Sequence, residues 1–249
     1  MDEETLDDIR ASRLSVFQKK HGYRFSLDAI LLAHFILPKS KSEAIDLGTG
    51  SGIIPLLSAV RFPQVNWIGL EIQEQLAIMA EKSIGLNGLQ NRIRIVHGDA
   101  GKIKNIFPAR SFDIVTFNPP YRKINSGRIN VDSEKAIARH EIKGSLKHFL
   151  PAARYLLKHR GQVFTIYPAR RLAGLIELFR FNSIEPKRMR LVFSDVQSDA
   201  ELVLVEGRAG SSEEMKIESP IIIYGEDKKY SLQMKEIFTD LAAAGNGDD

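Results

Sequence analysis

The stretch "EAIDLGTGSGIIPLLSAVRF", residues 43–62, changes character twice. "EAIDLG" (43–48) reads as a short buried strand and "IIPLLSAVRF" (53–62) as a helix. Between them, "DLGTGSG" (46–52) places Gly48, Gly50 and Gly52 on alternate positions. Glycines there let the backbone turn sharply and come close to a ligand. The helix start beyond them offers N–H groups with no partner inside the helix. The spacing is D-x-G-x-G-x-G, not the G-x-G-x-x-G of dinucleotide sites. A strand-to-helix turn also uses glycine for purely structural reasons, so the flanking sequence has to decide.

Downstream the same alternation repeats. "VNWIGLE" (65–71) reads as a strand and "QEQLAIMAEKSIGLNG" (73–88) as a helix; "RIRIVHGD" (92–99) is a strand, with a short helical piece near 101–107. "SFDIVTFN" (111–118) is a strand, and "GSLKHFLPAARYLLKHRG" (144–161) reads as a helix ended by Gly161, with Pro151 able to kink or split it. "QVFTIY" (162–167) is a strand, "ARRLAGLIELFRFN" (169–182) a helix, and "KRMRLVFS" (187–194) and "AELVLVEGR" (200–208) are strands. Repeated β-α alternation predicts an α/β fold with a parallel sheet covered on both faces. The last two strands are too close in sequence for a parallel crossover, so they pair as an antiparallel hairpin. This pattern, a doubly wound, mostly parallel seven-stranded sheet ending in an antiparallel hairpin, resembles the Rossmann-like class I methyltransferase fold. Beyond it, "GSSEEMKIES" reads as an exposed loop, "PIIIYGEDKKYS" as a short strand and turn, "LQMKEIFTDLAAA" as a helix and "GNGDD" as a disordered tail.

The chain has 249 residues, 43% of them hydrophobic and 27% charged, ordinary for a globular domain that can bury a full core. The longest apolar run, "AILLAHFIL" (29–37), is too short to span a bilayer, and the acidic start "MDEETLDDIR" is unlike a secretory signal. Together these predict a cytoplasmic protein. With no cysteine, disulfides, Cys-ligated metals and thiol nucleophiles are excluded. His21, His34, His97, His140, His148 and His159 show no metal-ligand spacing, so no metal site is expected. The formal net charge of +4 is uneven. Arg154, Lys158, Arg160, Arg170, Arg171, Arg180, Lys187, Arg188 and Arg190 face only Glu177 and Glu185 between 151 and 193, which suggests either a polyanionic partner or a solvated basic face.

Acidic residues mark the ends of the first three strands of this alternation. Asp46 sits at the glycine turn, where it can face a ligand ammonium. Glu71 closes the second strand, where a carboxylate can take both ribose hydroxyls. Asp99 closes the third beside Gly98, where it can accept from an adenine amino group. Ligands of open α/β sheets bind in the crevice at these strand ends. An acidic rim suits a cationic ligand without phosphates. The set Asp46, Gly48, Gly50, Gly52, Glu71 and Asp99 resembles the S-adenosyl-L-methionine (SAM) site of class I methyltransferases. "YRFSLDA" (23–29) adds Phe25 and Asp28, which either close over the methionine end of that cofactor or, for Asp28, cap the next helix.

The fourth strand ends abruptly in "TFNPPY" (116–121). Proline has no N–H for a ladder, and it stiffens the backbone so that its carbonyls are left for other work. Asn118 supplies an acceptor and a donor, Pro119 and Pro120 the rigid backbone, and Tyr121 a flat face for stacking. This combination suits an amino group attached to a π-system, whose lone pair is delocalised. The Asn118 side-chain oxygen and the Pro119 carbonyl can each accept one N–H and turn the lone pair toward a methyl donor. Asn118 thus borders both the cofactor and the acceptor. The Asn/Asp-Pro-Pro-aromatic motif resembles that of methyltransferases acting on exocyclic or amide nitrogens. Methylation at C5 of a pyrimidine needs a thiol, which this chain lacks.

The flanks narrow the acceptor. "GYRFSLDAILLAHFI" (22–36), "NPPYRKINSGRINVDSEKAIARHE" (118–141), "EPKRMRLV" (185–192) and "AELVLVEGRAG" (200–210) together resemble the bacterial tRNA1(Val) adenine-N6-methyltransferase family over about residues 13 to 240. The resemblance implies a tRNA partner and an adenine just 3′ of the anticodon as target. An anticodon-loop base is already unpaired, so extruding it costs less than flipping one from a duplex. Arg122, Lys123, Arg128, Lys135, Arg139 and His140 form a basic segment after the motif, able to hold phosphates. The alternatives are guanine N2 in rRNA and a protein glutamine amide, along with a non-enzymatic RNA-binding module. The expected organisation is an extension of helix and strand over 1–42 packing over the cofactor site, a methyltransferase core over 43–210 and a C-terminal extension over 211–249.

Overall fold

The computed structural model describes residues 4–9, 14–19, 27–39, 41–119 and 146–243. The strand and helix that open the argument form as read: β3 is Ser42–Leu47 and α2 is Ile53–Arg61. β4 (Val65–Glu71), α3 (Glu74–Leu86), β5 (Ile93–His97), a 3-10 turn (Ala100–Asn105) and β6 (Phe112–Phe117) follow. Then come α4 (Leu146–Leu156), β7 (Leu157–Pro168), a 3-10 turn (Ala169–Arg171), α5 (Leu172–Phe181), β8 (Ile184–Phe193) and β9 (Ala200–Ala209). Before them lie β1 (Glu4–Ile9), β2 (Leu14–Lys19) and α1 (Leu27–Phe35); after them lie β10 (Lys216–Ile217), β11 (Ile221–Ile222) and α6 (Leu232–Ala243).

The main sheet runs β10-β8-β9-β7-β6-β3-β4-β5, with β11 also on β8. β5, β4, β3, β6 and β7 are mutually parallel, and β9 runs antiparallel between β7 and β8. The seven strands read from the sequence are thus extended at one edge by two two-residue strands, one of them inside the segment expected to be a loop. Alternate residues of β3 show why the sheet is covered on both sides. Ala44 packs with α1, α2, α3 and α6, whereas Ile45 and Leu47 pack with α4 and α5. A strand buried on both faces reads as an apolar run, not as an alternation.

The chain winds outward from β3 through β4 to β5, then returns to β6 and continues outward the other way to β7. The order therefore reverses between β3 and β6, which opens a crevice at their C-terminal ends. The N-terminal hairpin stands apart from the main sheet and is fastened to α3: Asn87 accepts from Ser15 N at 3.1 Å and donates to Ser15 O at 2.8 Å, while Phe17 N donates to Ser83 Oγ at 3.0 Å. At the end of α1, Arg61 donates to the carbonyls of Ala33, His34 and Ile36 and pairs with Asp240 of α6 at 2.9 Å. One guanidinium thus satisfies helix-end carbonyls that have no partner within α1.

The helix expected to run to Gly161 ends earlier, at Leu156, and Pro151 sits inside it without splitting it. Residues 157–161 instead open β7. The register with β6 shifts between Phe112 and Ile114, Arg160 has φ 59°, and Lys158 pairs with Asp113 at 2.7 Å. A Cβ at Gly161 would stand 2.8 Å from Leu157 Cδ2 and 3.2 Å from the Asp113 carbonyl oxygen, so this glycine belongs to a crowded strand irregularity and not to a helix end.

Candidate active site

Gly48, Gly50 and Gly52 all take positive φ, at 72°, 57° and 78°. Side chains resist that conformation, and a Cβ at Gly48 would also press to 3.2 Å from the Phe149 ring. Phe149, on α4, stacks on Phe117 with centroids 5.5 Å apart and planes 19° from parallel. Nothing in the sequence singled out Phe149. Its apolar position on a helix gave no sign that it links the end of β6 to the glycine turn.

The turn is tied to the neighbouring strand. Gly48 N and Thr49 N both donate to Leu70 O, at 2.8 and 3.0 Å, and Gly50 N donates to Glu71 Oε2 at 2.8 Å. The other Glu71 oxygen accepts from Gln73 N at 2.9 Å. Glu71 is 4% exposed, and burial raises its pKa against the pull of these backbone donors. Each oxygen retains a second lone pair for a hydroxyl donor. At the end of β5, half-buried Asp99 accepts from Gly101 N at 2.8 Å and so caps the 3-10 turn, while Gly98 N donates to Glu71 O at 2.8 Å.

Asp46 differs from its expected place on the turn. It is the fifth residue of β3, 1% exposed, lying before the turn and not at the rim of the crevice. Its Oδ1 accepts from Thr116 Oγ1 at 2.7 Å, across the β3–β6 boundary where the sheet order reverses. Its Oδ2 is buried with no hydrogen-bond partner. Burial pushes its pKa up to about 7, with the Thr116 and Thr49 hydroxyls opposing and the Glu71 charge adding to the rise.

A folded-state pKa above the unfolded value means that the native state holds this proton more tightly. Stability from Asp46 is therefore full below about pH 4, falls as pH rises and levels off above about pH 7. Asp46→Asn keeps an acceptor for Thr116 and carries no charge. In thermal melts, the variant is expected to gain on the wild type across that window. A constant difference between the two curves would remove Asp46 as the source.

Asn118 follows β6 directly and is half-buried, and Pro119 beside it is buried. Pro120, Tyr121, Phe25 and the basic residues between 122 and 140 lie outside the described residues. Asp28 lies in the first turn of α1. The crevice therefore gathers, at the ends of adjacent strands, the three glycines, Glu71, Asp99 and Asn118, with Asp46 buried beneath the turn. Among the described residues there is no His/Asp/Glu cluster able to hold a metal, and no helix is long and apolar enough to cross a membrane.

Most of the cations between 151 and 193 prove to be engaged within the fold. Arg188 pairs with Glu206 at 2.8 Å, lies 3.8 Å from the centroid of the Phe35 ring and donates to Phe35 O at 2.6 Å. Arg180 pairs with Glu185 and Lys158 with Asp113. Lys187 donates to the carbonyls of Ser212 and Glu213, and Arg190 to that of Ser219. With Glu206 only 3% exposed at its side chain, removing one partner of its pair with Arg188 would strand a buried charge. The basic surplus thus mostly braces β8, β9 and the chain after them.

A methyltransferase family, Methyltransf_4, matches residues 40–125, the segment from the strand before the glycine turn to just past the proline motif. A Pedobacter heparinus protein named tRNA1(Val) (adenine(37)-N6)-methyltransferase is 26% identical over 173 residues, covering 70% of this chain and 72% of the relative. A Porphyromonas gingivalis protein of the same name is 33% identical over 169 residues, 66% of each chain. A crystal structure of a predicted O-methyltransferase from Agrobacterium tumefaciens superposes with a TM-score of 0.71 at 20% identity, covering 86% of this chain and 97% of that one, a likeness of fold. By fold and by the matching family the chain is a Rossmann-like methyltransferase, and its sequence is similar to proteins named tRNA1(Val) (adenine(37)-N6)-methyltransferase.

Proposed function

We propose that the chain methylates N6 of an unpaired adenine in tRNA, next to the anticodon, using SAM. The observation that carries this reading is the half-buried Asn118, at the end of β6, beside the crevice where the left-handed glycine turn and Glu71 meet. The crevice fits such a cofactor on its own chemistry: a backbone cradle without Cβ atoms, carboxylates at Glu71 and Asp99, and a buried Asp46 oxygen with no partner. Bound there, SAM supplies an electrophilic methyl group on a sulfonium.

The turn at Gly48, Gly50 and Gly52 and the Glu71 carboxylate hold the nucleoside, and Asp99 meets the adenine amino group of the cofactor. Asp46, buried beneath the turn, would meet the ammonium of the methionine portion, whose positive charge would favour the ionised carboxylate. Asn118 and the Pro119 carbonyl accept the two N–H groups of the target amine and orient its lone pair. No strong general base is needed, because the proton can leave after transfer. The names of the curated relatives support adenine in tRNA as the target.

The test is nucleoside mass spectrometry of tRNA lacking the modification, incubated with the protein and SAM. N6-methyladenosine that appears only with intact protein is the expected result. Cofactor binding without methylated adenosine would reject the adenine assignment and move the acceptor to guanine N2 in rRNA or to a glutamine amide.

A further inference from the structure

The strand beside β6 runs into "TIYPARR", residues 165–171, at the same end of the sheet as Asn118 and Pro119. Phe117 is in register with Thr165. Asn118 and Pro119 follow that last pair directly on one strand, and Ile166, Tyr167 and Pro168 follow it on the other. After Pro168 the chain makes its 3-10 turn, Ala169–Arg171, which brings two arginines to the strand end next to the acceptor position.

Tyr167 is half-buried. The Arg171 guanidinium stands 5.9 Å from its ring centroid, and Arg171 Nη1 donates to the Tyr167 hydroxyl oxygen at 3.3 Å. Arg170 is exposed, and neither arginine has an ion pair with a described carboxylate. Among the described residues, their charge is therefore not paired with a carboxylate, unlike that of Arg188, Arg180 and Lys158. The loop between β8 and β9, at the same end of the sheet, carries Asp195 and Asp199; Asp195 Oδ1 already accepts from Gln197 N and Ser198 N, both at 2.9 Å.

A guanidinium held near an aromatic ring presents planar donors suited to a phosphate, and the ring offers a face for a base. From this geometry we infer that Tyr167, Arg170 and Arg171 form a ledge that grips the RNA backbone and a neighbouring base beside the adenine being methylated. The inference rests on the RNA-methyltransferase reading. It assigns these three residues to positioning substrate, not to the chemistry.

The test uses the full chain and a synthetic, unmodified anticodon stem-loop RNA with an adenine 3′ of the anticodon. RNA binding is followed by fluorescence anisotropy across a salt series, and SAM affinity by calorimetry. Arg170→Gln/Arg171→Gln is expected to weaken RNA binding about 10- to 100-fold and to lower the salt slope by roughly 1.4 to 1.8, two phosphate contacts' worth. The rate at saturating RNA and the SAM affinity should hold. Arg171→Lys should restore the slope but only part of the affinity, because a lysine keeps the charge and loses the planar fork. Tyr167→Leu should weaken binding with the slope intact. An unchanged slope and affinity in the double variant would overturn the ledge while leaving the enzyme reading untouched. A wild-type chain that neither binds nor methylates RNA would overturn both.

Discussion

Asn118→Ala is expected to slow methyl transfer by on the order of 10²-fold or more, about 2.7 kcal/mol, with SAM affinity unchanged within a factor of about two. The acceptor amine is a poor nucleophile because its lone pair is shared with the ring. A side-chain carbonyl fixed at the end of a buried strand stabilises the more tetrahedral nitrogen of the transition state, and it does so without reorganising. Phe117, the residue before it, is fully buried and stacked on Phe149, so the strand end cannot drift to compensate. Asn118→Asp separates two contributions. It keeps the acceptor and adds charge, so it should retain more activity than alanine. Single-turnover rates at saturating cofactor and RNA read the effect directly. Retained turnover in Asn118→Ala would remove this residue from the reaction.

The core of this fold is legible because β3, β4 and β6 are buried on both faces over most of their length, and a polar residue lies at or just past the end of each; β5, at the edge of the sheet, alternates buried and exposed residues instead. Short apolar runs ending in Asp, Glu, Asp and Asn leave little choice of where the strands stop. Three things were not legible, for different physical reasons. The strand-forming residues of β1 and β2 look unremarkable because their hairpin is held by Ser83 and Asn87 of α3, far away in sequence. The start of β7 looks helical because Leu157 and Lys158 continue the pattern of α4. What overrides that propensity is pairing of Leu157 with Phe112 and of Lys158 with Asp113. The basic stretch suggested a polyanion, and most of it is consumed by Glu206, Glu185, Asp113 and backbone carbonyls. Local composition cannot distinguish a cation that braces the fold from one that waits for a ligand; only the partners in three dimensions can. The same limit applies to Asp46, whose sequence position implied the rim of the crevice and whose side chain is instead locked to Thr116 beneath it.

Glu71 offers the second large effect, because it both shapes the site and is placed to touch the ligand. Its two oxygens hold Gly50 N and Gln73 N, so the carboxylate fastens the glycine turn to the end of β4. Glu71→Ala takes the acceptor from both donors and leaves the buried Gly50 N–H unsatisfied, at about 1–3 kcal/mol, while the half-buried Gln73 N–H loses less. Glu71→Gln is not a mild change either, since one backbone N–H would face an amide NH₂. Both variants are expected to bind SAM about 10²-fold more weakly or worse and to melt at lower temperature. A structural role alone would also predict that, so affinity by itself does not identify a contact with the ribose. A cycle of variants and ligands does. S-adenosylhomocysteine and its 2′-deoxy analogue should differ in affinity on the wild type, where the carboxylate accepts the hydroxyl, and much less on Glu71→Ala, where no acceptor remains. Calorimetry of the four pairs gives the coupling. A 2′-deoxy penalty of the same size in both proteins would show that Glu71 only braces the turn. A penalty that vanishes with the carboxylate would place the ribose on Glu71 even though the variant's fold is weakened, because the loss common to both ligands cancels.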